Sequence, residues 1–362
     1  MKSKGVLWLV SLGLLCGQHA PRVAAVPSDP LELVSGLIPV ADTSTGRKAA
    51  LDLLARARDN YALRNARHGY DLKVSFAVDS QGQTSYDGAW EMEDLFIPGQ
   101  GLHWTAKAAA GYSIAGIASH GEQFQEGASG EVPLRLEEAR GILLHPLSSD
   151  TYASRESIRT FIATFHGASI TCVTLSSSKK AAMPAVGRGW EESEECIDPQ
   201  TGLLQLHSEA PGRYVVYDYS NAPQLGGHML PRTVTVTEAG RIVSKITVEN
   251  LEEINGTDPS LFVATEEMKT RGRSVEMTAM TRISRVHGET PSTPAMAVRP
   301  VCVFGMVTSA GQLVEAHSLQ PSDPNSQAAV DDAKQINFSP ATPAGAPARQ
   351  HFVFVIEKFV SR

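Results

Sequence analysis

The chain has 362 residues, enough for two domains or for one large domain with an appendage. Its 32 basic and 39 acidic residues leave a net charge of −7, which speaks against nucleic acid or an anionic membrane surface as an electrostatic partner. No stretch carries the roughly 18–20 consecutive apolar residues that a membrane-spanning helix needs.

The first 25 residues have the pattern of a signal peptide. Lys2 and Lys4 form a basic start, "GVLWLVSLGLL" is a short apolar core, and Val23, Ala24 and Ala25 offer small residues for cleavage. Cys16 invites a lipid-anchor reading, but Leu15 before it is bulky where such anchors need a small residue. Cleavage removes Lys2, Lys4 and Arg22, leaving 29 basic against 39 acidic residues and a net charge of −10. The expectation is an acidic protein of the periplasm or the medium, not transmembrane after cleavage, with outer-membrane association left open.

A polar spacer leads to "TGRKAALDLLARARDNYALRNARH", in which Leu51, Leu54, Ala57 and Tyr61 recur at helical spacing. Thr45 is placed to cap this helix and Gly69 to end it. The period then changes to two. In "YDLKVSFAVD", Tyr70, Leu72, Val74, Phe76 and Val78 alternate with mostly polar residues, the mark of a strand with one buried face. Strands separated by glycine-rich turns follow to about residue 127. Residues 134–145 read as a helix that stops before Pro146, and 154–166 as a second short helix. More strands run from about 168 to 252, closing with "MLPRTVTVT", the turn "EAG" and "RIVSKITVENLEEI". The fold class is α+β, with one large, curved antiparallel sheet, a half-barrel, and covering helices over about 46–264.

Residues 265–299 read as an irregular connector that ends in a Pro-rich linker. The remainder, 300–362, is a small ββαβ unit. It has a hairpin turning at Ala310 and Gly311, a helix introduced by Asp323 and Pro324 with Ala329, Ala333 and Ile336 on one face, and a last strand. Phe352, Phe354 and Ile356 share one face of that strand.

Of the cysteines that survive cleavage, Cys172 and Cys196 are the natural disulfide in an oxidising compartment; two buried thiols and a metal site are the alternatives. Cys302, inside "VCVFGMV", reads as a buried thiol. The sequence carries no catalytic, metal or cofactor motif: G-x-S-x-G, H-E-x-x-H, the P-loop and G-x-G-x-x-G are all missing. His103 and His145 read as structural or surface residues. The acidic run "EESEE", 191–195, lacks the alternation and glycine turn of a cation loop and reads as a solvated strand or loop.

Two resemblances attach to these residues. The C-terminal stretches "VTSAGQLVEAHSLQ" and "QAAVDDAKQINFSPATPAGAPA" resemble the C-terminal domain of TonB-family proteins, without the membrane helix or long Pro/Lys-rich arm of an energy transducer. The region of about 46–264 is similar to LolA/LolB-like lipoprotein carriers. Its first helix and strand, "PLRLEEARGILLHPL" and "HMLPRTVTVTEAGRIVSKITVENLEEINGTDPSLF" carry that likeness. The second resemblance implies a half-barrel with an apolar cavity under its helices. Tyr70, Leu72, Val74, Phe76, Trp90, Trp104 and Tyr214 would then line a lipid or lipopeptide site, ordinary core packing being the plainer alternative. Phe352, Phe354 and Ile356 would serve an envelope protein partner, the last strand adding to an exposed edge. The function expected is non-enzymatic binding in the cell envelope. A structural or sensory interaction protein with a filled sheet is the alternative, ahead of a periplasmic hydrolase.

Overall fold

The structure, a computed structural model, describes residues 32–33, 44–127 apart from 62, 64–66 and 85, 133–147, 152–176 apart from 156, 190, 192–271, 281–287, 298–338 apart from 309, and 351–360. The expected signal peptide lies outside the described residues, as do 288–297 of the expected linker.

In chain order the elements begin with strand β1 (Glu32–Leu33) and helix α1 (Ser44–Asn60). A meander follows: β2 (Gly69–Val78), β3 (Gly88–Ile97), β4 (Gly101–Ala108), β5 (Ser113–Ser119) and β6 (Glu122–Gly127). After helix α2 (Leu134–Leu144) come β7 (Ser157–Phe165), β8 (Ala168–Ser176), β9 (Glu192–Ile197), β10 (Leu204–Ala210) and β11 (Arg213–Asp218). The two-residue strands β12 (Gln224–Leu225) and β13 (His228–Met229) precede β14 (Thr233–Glu238) and the long β15 (Arg241–Ile254). A 3-10 turn (Pro259–Phe262) and α3 (Glu266–Arg271) lead to β16 (Thr281–His287), β17 (Val298–Val307), β18 (Leu313–Ser318), α4 (Ser326–Lys334) and β19 (His351–Val360).

Thirteen strands form one antiparallel sheet in the order β1-β7-β8-β9-β10-β11-β14-β15-β2-β3-β4-β5-β6. The join between the two meanders is β15, the longest strand, which pairs β14 on one side and β2 on the other. Register shifts in the β9–β10, β10–β11, β14–β15 and β15–β2 ladders add bends and local twist. Among the described residues β6 and β1 remain edges, so the sheet curves without closing. The alternation of Tyr70, Leu72, Val74, Phe76 and Val78 is obeyed: all five are buried on the inner face, in one core with residues of α1 and α2. The opposite, outer face of β7–β11 buries a second cluster around Phe161, Phe165, Leu206 and Tyr214.

Three segments differ from their reading in the sequence. Residues 157–165 are strand β7, not helix, because they alternate at period two: Ile158 joins the inner core while Phe161, Ala163 and Phe165 join the outer cluster. Residues 192–195 of the acidic run are not a solvated segment; they lie in β9, inside the sheet, and Glu192, Glu194 and Glu195 are buried. The expected irregular connector holds α3 and β16.

That last difference changes the tail. Its four-stranded sheet runs β16-β19-β17-β18, with β16 parallel to β19 and the other pairs antiparallel. The last strand is therefore an interior strand with both ladders occupied, not one free to join an exposed edge. One face packs on α4 through Ala329, Val330 and Ala333. The other face, with Phe304, Phe352, Phe354 and Ile356, packs against Leu134 and Ala210 of the half-barrel region.

Cys172 and Cys196 stand directly opposite each other on β8 and β9 and form a disulfide, while Cys302 is buried and outside that bridge. The bridge spans a separation of 24 residues. Replacing both cysteines by serine should cost about 3 kcal/mol of unfolding free energy in denaturant titrations, and reductant should bring the native chain down to the same value. Free thiols at both positions in the oxidised protein would refute the bridge.

Candidate ligand-binding face

Strand parity decides which of the expected residues come together. Tyr70, Leu72, Val74 and Phe76 of β2, Trp90 of β3 and Trp104 of β4 all reach the inner core, and each is at most 6% exposed. Phe76 and Trp90 stack with ring centroids 5.4 Å apart. Tyr214 is not brought to them. On β11, Val215 and Tyr217 point inward, so Tyr214 points outward and packs beside the disulfide. Phe352, Phe354 and Ile356 are also buried, against the protein's own Phe304, Leu134 and Ala210.

Trp104 occupies a slot that glycine makes possible. A Cβ on Gly116 of the adjacent β5 would fall 2.2 Å from the indole Nε1, so only a residue without one lets the ring lie across that strand. Over the other side of the ring lies the guanidinium of Arg140 from α2, 3.8 Å from its centroid. Arg140 Nη2 is 3.9 Å from Asp94 Oδ2, a carboxylate with no exposed side-chain surface that also accepts from Tyr70 Oη at 3.0 Å. The cover of the inner face is thus held partly by charge.

Helix α2 has only a narrow polar side, where Glu137 and Arg140 are 22% and 15% exposed. Leu136, Ala139, Leu143 and Leu144 enter the inner core, Leu134 enters the tail's core, and Arg135 and Glu138 are almost fully buried between the two. Arg135 donates through Nε to Glu315 Oε2 of β18 at 3.0 Å, and through Nη1 to Glu138 Oε2 and Glu238 Oε1, both at 2.9 Å. Arg213 of β11 donates to Glu138, to Glu209 and, at 3.1 Å, to Glu238 Oε1. His317 Nε2 of β18 lies 2.9 Å from Glu238 Oε2. Burial works against the charge on Glu238, but Arg135, His317 and Arg213 outweigh it and hold the carboxyl well below the usual range. Burial wins at Glu315, whose carboxyl is raised in spite of Arg135.

The cluster continues inward through Glu209 to His207, whose ring nitrogens lie 2.8 Å from Glu195 Oε2 and 3.0 Å from Glu209 Oε1. Burial opposes protonation of His207, and the two carboxylates overcome it, lifting the pKa well above 6.5. None of this cluster was singled out from the sequence except Glu195, as part of the acidic run. The available signal was "LRLEEARGILL", a helical stretch whose charged and apolar residues are not sorted onto separate faces, unlike those of a surface helix.

Two open cavities among the described residues lie elsewhere. One, of 470 Å³, sits on the outer face of β2–β4 and β15 among Lys73, Ser75, Glu91, Glu93, Lys107 and Glu249; of the expected ligand residues it touches Val74 alone. The other, of 380 Å³, lies between the turns at Gly99–Gly101 and Ser119–Gln123. It contains Ser119 Oγ 2.8 Å from His120 Nδ1, but that hydroxyl donates to the Gln100 carbonyl at 2.7 Å. His120 is left as the donor, the reverse of what a general base does for a nucleophile. His103 is half-buried, and burial lowers its pKa.

No protein-family model and no curated protein matches the chain. Among solved structures, it is similar to a LolA superfamily protein from Nitrosomonas europaea, at 9% identity over 59% of this chain and 97% of that one, with a TM-score of 0.38. A DUF1329 family protein from Desulfovibrio piger aligns at 11% identity over 60% and 97%, TM-score 0.36. The Pseudomonas aeruginosa MucA/MucB complex aligns at 12% identity over 71% and 75%, TM-score 0.27. Likenesses this slight carry no argument about activity.

Filling the Trp104 slot tests the face directly. Gly116→Val should displace the indole, change its near-ultraviolet dichroism and cost about 1–3 kcal/mol in thermal or denaturant unfolding. A second expectation concerns pH. Because the folded-state pKa of His207 is raised, its stabilising contribution is complete below 6.5 and is lost as pH rises through the raised value. Unfolding free energy should therefore decline on the alkaline side, and His207→Gln should flatten that decline; equal slopes in the two proteins would sink the assignment.

Proposed function

We propose that this chain is an exported, non-enzymatic binding protein of the cell envelope that takes an acyl chain or lipopeptide on the inner face of its half-barrel. The observation that carries this reading is the mismatch between that face and its cover. The face itself is apolar along β2 to β5, whereas α2 is seated on it partly through Arg140, Trp104 and the buried Asp94. Ion pairs taken out of water give up most of their attraction to desolvation, so the polar part of this hold adds little to the cost of lifting the cover, and the apolar part, from Leu136, Ala139, Leu143 and Leu144, is what a ligand would have to replace. The apolar strands it leaves behind would be covered by a hydrocarbon chain better than by water.

In the closed arrangement Tyr70, Leu72, Val74, Phe76, Trp90 and Trp104 are packed, so binding requires the cover to move. That packing is also the observation favouring the second reading, an interaction protein whose sheet is filled by its own helices. A hydrolase has the least support, given the direction of the Ser119–His120 contact.

The test is thermal unfolding of the delipidated full chain with a phospholipid, a lysophospholipid and a synthetic lipopeptide. A ligand of the inner face should raise the melting temperature with concentration, following mass action. Native mass spectrometry of protein purified without detergent should find the same class of molecule bound. Absence of any shift and of any co-purified lipid would leave the interaction reading in its place.

A further inference from the structure

We propose that the C-terminal sheet is a releasable latch on α2, and that access to the inner face depends on whether Glu315 and His317 are seated on Arg135 and Glu238. The proposal rests on the ligand reading for what lies beneath α2, but the latch itself stands on separate features.

The first is a bulge placed at the contact. The ladder between β17 and β18 slips between Phe304 and Met306, so that Glu315 and Ala316 together face the single residue Gly305. Glu315 is left with φ of +52°, a left-handed conformation that a glutamate in a strand adopts only under constraint. Bulges re-aim side chains. This one lets Glu315 reach Arg135 while His317, two residues on, reaches Glu238 of the half-barrel. A strained backbone at the point where two units meet is a reason to read the contact as purposeful rather than incidental.

The second is the one-sidedness of the apolar contact. The tail offers a continuous apolar face, including Phe304, Phe352, Phe354 and Ile356, but Leu134, Ala210 and the partly buried Trp190 are what meets it. Cations supply the rest. The guanidinium of Arg213 lies 4.7 Å from the Phe304 ring centroid and 5.7 Å from that of Phe352, and that of Arg135 is 5.6 Å from Phe304. Such a contact is demanding in geometry yet modest in net strength, since desolvating the ions offsets their attraction. It seats the tail in one position without fusing it to the half-barrel. The third feature is that the same Arg135 belongs to α2, so lifting the tail removes a partner from the cover itself.

Hydrogen exchange on the full chain decides the matter, with Glu315→Lys setting a cation against Arg135 and Glu315→Gly removing the carboxylate while relieving the left-handed backbone. In both variants, amides of 134–144 should exchange about tenfold faster or more, as expected for losing a charged, buried hydrogen bond. In Glu315→Gly the amides of β17 and β19 should keep their protection, showing that the tail sheet remains folded. Unchanged exchange across 134–144 in both variants would overturn the latch. Fluorescence of N-phenyl-1-naphthylamine, recorded on the same samples, reports on the inner face separately. If α2 loosens and the probe gains fluorescence, latch and ligand reading both stand. If α2 loosens and the probe does not bind, the latch stands and the ligand reading falls.

Discussion

Two guanidinium groups, those of Arg135 and Arg213, are almost completely withdrawn from water where helix α2, the half-barrel and the C-terminal sheet meet. An unpaired buried charge costs several kcal/mol, about 3–5 when a partner is removed, so the surrounding elements must supply carboxylates, and four of them do. Helix α2 supplies Glu138, β10 supplies Glu209, β14 supplies Glu238 and β18 supplies Glu315. The positions of these elements relative to one another are therefore set by ion geometry as much as by apolar packing. Glu238 is the pivot, since it meets both arginines and His317.

The same requirement explains why α2 lacks the amphipathic pattern of a surface helix. It separates two apolar cores, and its Arg135 and Glu138 point into the seam between them. It also explains why β9 can bury so many glutamates inside the sheet. Glu192 pairs with Arg159 on the outer face and Glu195 with His207 on the inner one, so adjacent parts of one strand answer to different charge partners. The disulfide between β8 and β9 lies in the same strand, on the outer face. It ties together the part of the sheet that carries the most buried charge.

What the sequence reveals is what local periodicity can encode. The alternation in β2, the closing hairpin of β14 and β15, helix α2 and the facing cysteines were all legible, because each depends on neighbours a few residues away or on a compartment rule. Strand β7 was not, since the exposed Ile162 between Phe161 and Ala163 blurs the polar–apolar alternation that distinguishes a strand from a short helix. The inward or outward sense of Tyr214 was not either: it depends on register across the sheet, including a bulge in the β10–β11 ladder. The ion cluster was the least legible feature. Arg135 is 103 residues from Glu238 and 180 from Glu315, and no composition or spacing rule links residues so far apart. The interior place of β19 was hidden for the same reason, since its parallel partner β16 sits in a stretch that reads as irregular.

The contrast between the two sides of α2 bears on how the molecule works. Toward the sheet it meets a broad apolar surface in addition to Glu238, Arg213 and Asp94; toward the tail it offers Leu134 and the Arg135–Glu315 pair, whose ions water could equally satisfy. Separating the first contact exposes hydrocarbon at about 25 cal/mol per Å², whereas separating the second returns charges to the solvent they favour. The weaker boundary is thus the outer one, between tail and helix. Movement should begin there, and the tail should leave before the helix does. Only after that step does α2 rest on the half-barrel by its own contacts, with Arg135 on Glu238, Glu138 on Arg213, and Arg140 against Trp104 and Asp94 as the remaining polar holds. An apolar ligand could then compete with the helix for the strands, because it would be displacing a cover already deprived of its second wall.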